Sequence, residues 1–188
     1  MSLSQARHED NAEREMRLLL TGNPGVGKTT LIRAIVARLK GIRCAGFYTE
    51  ETRRGGQRTG FRIVTQDGQE GSLASLGMQA PTVGKYSVHV EEFEKLVLPI
   101  LNPVTRRAHL YVIDEIGKME LLSRPFRTQV IELLAQPTNL LATITKRGNG
   151  FIHQLKHRKD VELIEVTRKN PDDLPEELAG KIKIRLEK

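Results

Sequence analysis

Residues 17–40 restrict what this chain can fold into more than any other segment. Leu18, Leu19 and Leu20 form an apolar run, followed by Gly22-Asn23-Pro24-Gly25-Val26-Gly27-Lys28-Thr29-Thr30 and then by apolar residues at Leu31, Ile32, Ile35, Val36 and Leu39. That order is a buried strand, a glycine-rich turn and an amphipathic helix. The glycines let the backbone curl so that successive N–H groups point inward at an anion, and the positive end of the helix adds to the field. The spacing Gly-x4-Gly-Lys-Thr is that of a phosphate-binding loop, with Lys28 as a mobile charge for β- and γ-phosphates and the Thr29 hydroxyl for Mg²⁺. A second apolar run over 42–48 makes this first unit a βαβ crossover.

Beyond it the pattern changes. Short strands are expected over 50–53, 60–65 and 71–74, divided by the hairpin-type turns Arg54-Gly55-Gly56 and Asp67-Gly68, and so antiparallel. A Gly/Pro/Gln loop over 76–84 leads to a strand over 85–90 and a helix over 91–101, which Pro99 should end or kink. The apolar strand over 109–113 terminates in Asp114-Glu115. A helix over 124–135 has Ser123 as its N-cap and Pro125 in its first turn. Strands over 140–144 and 161–166 enclose a helical segment over 151–158. This alternation predicts an α/β fold with a mostly parallel central sheet, helices on both faces and added antiparallel strands.

The length of 188 residues fits one domain, expected over 17–188. Residues 1–16 hold Glu9, Asp10, Glu13 and Glu15 against Arg7 and Arg14 with no apolar stretch, unlike a signal peptide, and read as a flexible extension with Met16 at the start of the fold. After Asn170, the acids Asp172, Asp173, Glu176 and Glu177 are expected to decorate a solvent-facing helix.

Lys and Arg number 30 against 23 Asp and Glu, a net charge of +7, which suits a nucleotide, a nucleic acid or an acidic surface. An aromatic fraction of 4% with no Trp argues against a base-stacking platform. The one cysteine, Cys44, excludes an internal disulfide and suits a reducing cytoplasm. No apolar run approaches the roughly 20 residues needed to span a bilayer, so no membrane partner is expected, and a monomer is.

The acidic pair at the end of an apolar strand supplies what a bound triphosphate lacks. Asp114 is expected to hold the metal, and Glu115 to polarise an attacking water and take its proton. The charge developing on the γ-phosphoryl group calls for a further cation. Lys118, three residues beyond Glu115, and Arg58, on a glycine-flanked hairpin, are the candidates. The cluster of Arg53, Arg54 and Arg58 could serve as a lid over the phosphates, but reads more simply as a solvated hairpin tip. Thr145-Lys146-Arg147-Gly148 has glycine where a guanine-reading aspartate would stand, so guanine specificity has no support.

Phe47-Tyr48-Thr49-Glu50-Glu51, Gly56-Gln57-Arg58-Thr59-Gly60-Phe61 and the string from Val112 to Leu121, Val-Ile-Asp-Glu-Ile-Gly-Lys-Met-Glu-Leu, resemble the cancer-related nucleoside-triphosphatase family over residues 17–170. The resemblance implies a Rossmann-like P-loop fold and slow, Mg²⁺-dependent hydrolysis of several nucleoside triphosphates. It implies nucleotide contacts at Gly22, Asn23, Pro24, Gly25, Val26, Gly27, Lys28, Thr29 and Thr30. A second set falls along Tyr111, Val112, Ile113, Asp114, Glu115, Ile116, Gly117 and Lys118. The expectation is a triphosphatase with broad base tolerance. A nucleotide or small-molecule kinase is the alternative, and an NTP-dependent nucleic-acid-binding regulator the third reading.

Overall fold

Three consecutive leucines cannot all face one side of a strand, and the sheet uses both sides. The computed structural model describes residues 15–148 and 150–187. The first strand, β1 (Arg17–Gly22), is buried throughout. Leu18 and Leu20 point into one layer of the core and Leu19 into the other, as a parallel strand covered on both faces requires. The leading extension expected over 1–16 lies outside the described residues up to 14. Met16 is already buried, and its N–H donates to Asn139 Oδ1 at 2.8 Å.

After β1 come helix α1 (Lys28–Arg38) and strands β2 (Cys44–Arg54), β3 (Gln57–Thr65), β4 (Glu70–Leu76), β5 (Thr82–Val83) and β6 (Tyr86–Val88). Helix α2 (Val90–Leu101) leads to β7 (Leu110–Ile116), a 3-10 turn (Glu120–Leu122) and α3 (Arg124–Ala135). Then follow β8 (Leu140–Thr145), α4 (Gly150–Lys156), β9 (Glu162–Val166) and α5 (Leu174–Leu186). The nine strands form one sheet in the order β5-β6-β4-β3-β2-β7-β8-β1-β9. From β2 to β9 the neighbours are parallel, and β3, β4, β6 and β5 extend the β2 edge in antiparallel fashion. The first crossover therefore spans two strands, with β7 and β8 between β2 and β1.

Helices α2, α3 and α4 cover one face. Phe47 of β2, Phe93 of α2 and Phe126 of α3 pack edge to face there, with ring centroids 5.1–6.1 Å apart. Helices α1 and α5 cover the other face through Ile32, Ile35, Leu178 and Ile182. Ser123 caps α3 as expected, accepting from the Phe126 N–H at 3.0 Å.

Three local expectations need correction. Residues 50–53 are not a separate strand: they continue β2 without a break, because Arg54 pairs with Gln57 across the Gly55-Gly56 turn and the hairpin needs both arms. The strand carrying the acidic pair does not stop at Ile113 but runs to Ile116, whose fully buried side chain pairs with Ile144 past an irregularity in the β7–β8 register. The last helix is not simply solvent-facing. Leu174, Leu178, Ala179 and Ile182 recur at helical spacing and are buried, while Asp172 and Asp173 precede its first turn.

The register of β2 on β7 ends at Tyr48 and Asp114. Residues 50–54 and their β3 partners thus project beyond the carboxyl edge of the parallel strands, the edge at which open α/β sheets bind ligands.

Candidate active site

At that carboxyl edge the chain leaves β1 at Gly22 and enters α1 at Lys28. Gly27 lies at φ 104°, a left-handed conformation that side chains other than glycine's rarely adopt, and it forms the N-cap position of α1. No side chain caps that end, and its first turn carries no acid. The free N–H groups and the positive end of the helix dipole are left to an anion. Lys28 is 9% exposed, with Nζ 3.5 Å from the Gly22 carbonyl oxygen, so its ammonium is folded over the loop. Asn23, Pro24, Gly25 and Thr30 lie exposed on the rim.

Asp114 sits one strand beyond β8, 1% exposed. Its Oδ1 accepts from the buried Thr143 hydroxyl at 2.5 Å, whereas Oδ2 is buried with no hydrogen-bond partner. Burial pushes its carboxyl above the usual range, and the nearby Thr143, Thr29 and Lys28 pull it back. A buried carboxylate oxygen left unpaired is costly. That oxygen and the Thr29 hydroxyl are hard donors of the kind Mg²⁺ prefers and would hold it, so the residues present fit the metal that the loop implies.

Glu115 is half-buried, and burial also raises its pKa, with Lys28 opposing the rise. Gly117 makes the turn after β7 unusually tight: a Cβ there would lie 2.9 Å from Glu120 Oε2 and 3.5 Å from Glu115 Cδ. The glycine therefore lets two carboxyl groups crowd the same turn. Glu120 is buried, and burial, with Glu115 and Asp114 adding repulsion, pushes it up to about 8. Burial thus favours its protonated form, whereas the neighbouring Glu115 is closer to solvent.

The other residues expected at the site divide. Tyr111, Val112, Ile113 and Ile116 belong to the strand that carries the acids, and their side chains are in the core. The Tyr111 hydroxyl donates to the Arg106 carbonyl at 2.6 Å. Lys118 is exposed on the turn. Arg58 lies on the projecting hairpin, ion-paired with Glu51 and over the Phe61 ring.

Two residues went unread in the sequence. Thr143 orients Asp114, and its signal was a lone hydroxyl within the apolar run 140–144. Lys156, the last residue of α4, donates from Nζ to Thr21 Oγ1 at 3.1 Å and to the Lys146 carbonyl at 2.9 Å. No local pattern announces that contact, which joins residues 135 positions apart.

A glycine-rich loop between a buried strand and an uncapped helix, with an acidic pair two strands away on the same edge, defines a P-loop nucleotide-binding protein of the α/β class. A family model described as NTPase matches residues 17–179, and the chain belongs to that family. It is 43% identical over 169 residues to the nucleoside-triphosphatase THEP1 of Thermotoga sp. strain RQ2, covering 89% of this chain and 96% of the relative. It is 42% identical over 173 residues to the human cancer-related nucleoside-triphosphatase, covering 84% and 91%. The crystal structure of THEP1 from the hyperthermophile Aquifex aeolicus superposes with a TM-score of 0.81 at 40% identity, over 89% of this chain and 99% of that one. The solution structure of the human protein gives 0.76 at 37% identity, over 90% and 98%. The family resemblance and the α/β P-loop fold expected from the sequence are both borne out. Among the described residues no helix is long and apolar enough to cross a membrane.

Proposed function

We propose that this chain hydrolyses nucleoside triphosphates to the diphosphate and phosphate, with Mg²⁺ and little regard for the base, in a reducing cytoplasm. The observation that carries the reading is that the buried, unpartnered Asp114 carboxylate oxygen, with Glu115 next in the chain, stands at the same edge of the sheet as the loop over which Lys28 is folded. The names of the relatives, nucleoside-triphosphatases, point the same way. The loop N–H groups and Lys28 bind the β- and γ-phosphates. Thr29 and Asp114 would hold the metal, which would neutralise phosphate charge. Glu115 accepts the proton of a water aligned with the γ-phosphorus, and Thr143 keeps Asp114 turned toward the loop.

Asp114→Asn keeps the shape and the Thr143 contact but removes the charge on the orphaned oxygen. The Mg²⁺ concentration for half-maximal phosphate release is expected to rise by about tenfold or more. An unchanged Mg²⁺ titration would take Asp114 out of the metal site.

Base tolerance is supported by the segment after β8, where Gly148 stands in place of a guanine-reading carboxylate. ATP and GTP are expected to give kcat/KM values within about tenfold of each other, a difference of about 1.4 kcal/mol. A thousandfold preference measured by phosphate release would reveal a dedicated base pocket and refute this part of the reading.

A further inference from the structure

Lys28 and one metal ion leave part of the γ-phosphoryl charge unbalanced during transfer, and the fold places one more ammonium near them. Helix α4 is fixed by Ile152 and Leu155, both buried in the core. Its last residue, Lys156, reaches across the end of β8 to Thr21, the residue that precedes the loop. Thr21 pairs with Ile144 of β8, and Gly22 with Thr145, so the ammonium lies at the carboxyl edge between the phosphate loop and the strand that carries Glu115.

Two acceptors hold this ammonium, and an ammonium has three donors. The nearby Glu165 forms its ion pair with Lys146. Lys156 makes no ion-pair contact of its own among the described residues. Burial lowers the Lys156 pKa, with attraction to Glu165 and Glu115 opposing, and repulsion from Lys146 and Lys28 reinforcing, that shift. Lys28 Nζ lies 3.5 Å from the Gly22 carbonyl oxygen and Lys156 Nζ 3.1 Å from Thr21 Oγ1, so the two ammonium groups are held by adjacent residues of the chain. Two like charges at one sheet edge, the first of them opening an uncapped helix, are an unfavourable arrangement that a bound anion would relieve.

We propose that Lys156 is a further catalytic cation of this site, giving its remaining N–H to a γ-phosphoryl oxygen as the phosphoanhydride breaks. The inference rests on the triphosphatase reading above. In the step, the water oxygen bonds to the γ-phosphorus and its proton passes to Glu115. The bond from phosphorus to the β–γ bridging oxygen breaks, and its electron pair leaves with the diphosphate. Negative charge spreads over the γ-phosphoryl oxygens in this process, so the Lys156 contact is worth more in the transition state than in the bound triphosphate. Arg58 and Lys118 are less suited to this role, the first being neutralised by Glu51 and the second exposed on its turn.

The test compares Lys156→Gln and Lys156→Arg with the wild type by three readouts: single-turnover phosphate release, affinity for Mg²⁺ and nucleoside diphosphate, and affinity for the same diphosphate with aluminium fluoride, which mimics the transferring group. Lys156→Gln is expected to slow release by about 10²-fold, to change diphosphate affinity by less than about twofold, and to weaken the aluminium fluoride complex in step with the rate. Lys156→Arg, which keeps the charge, should recover part of both losses. If Lys156→Gln does not fold, Lys156→Met, which keeps the length of the stem, carries the same three readouts. A wild-type rate in the neutral variant would overturn the proposal, as would an equal loss in all three readouts, which marks a structural role. A wild type that binds no triphosphate or releases no phosphate would overturn the triphosphatase reading itself. Normal wild-type hydrolysis with an unimpaired Lys156→Gln would overturn only the role of Lys156.

Discussion

Lys28→Ala is expected to abolish measurable phosphate release. The side chain is 9% exposed and its ammonium lies over the loop, against the Gly22 carbonyl. Without it, the loop N–H groups face a tri- or tetra-anionic phosphate chain with one fewer full charge, and that charge counts for more in a partly desolvated site than in water. Both binding and transition-state stabilisation are lost, a combined effect of at least about 10³-fold, or about 4 kcal/mol. The fold should survive, because Ala is the best helix former and Lys28 opens α1 without packing into a core cluster. An unchanged unfolding temperature with no turnover is the expected pair of results. Full activity in the variant would show that the loop does not hold the phosphates.

The phosphate loop was legible in the sequence because its backbone dictates its residues. Gly27 must adopt φ 104°, and the flanking strand and helix announce themselves by three leucines and a 3.6-residue repeat. The turn at Gly55-Gly56 and the cap at Ser123 were legible for the same reason: each is a local rule with a local signature. Where the fold departs from expectation, tertiary packing decides. β7 continues through two carboxylates because Ile116 has a buried place beside Ile144, which no window around Asp114 contains. Helix α5 buries one face because α1 lies across from it. Thr143 and Lys156 hydrogen-bond to partners 29 and 135 residues away, and such contacts exist only once the sheet is assembled.

Glu115→Gln separates chemistry from binding. The amide keeps the volume and polarity of the side chain but cannot accept the proton of water. The expected result is nucleotide affinity within a few-fold of the wild type and kcat lower by about 10²–10⁴-fold. Burial raises the pKa of Glu115, and only its ionised form is a base. The wild-type rate should therefore fall with decreasing pH as Glu115 takes up its proton, and this acidic limb should vanish from the residual activity of the variant. Loss of affinity with kcat intact would reassign Glu115 to nucleotide or metal binding. The alternative kinase reading meets the same variant differently, since a carboxylate serving an organic hydroxyl would spare a slow leak to water.

In the proposed reaction water, activated by Glu115, takes the γ-phosphoryl group. Single turnover of ATP and of GTP in ¹⁸O-labelled water tests it most directly, with the isotope followed by mass spectrometry. Each released phosphate is expected to carry one solvent oxygen and the diphosphate none, and Glu115→Gln is expected to slow this labelled release without changing where the label appears. Solvent oxygen in the nucleotide product, or phosphoryl groups recovered on an acceptor other than water, would contradict it.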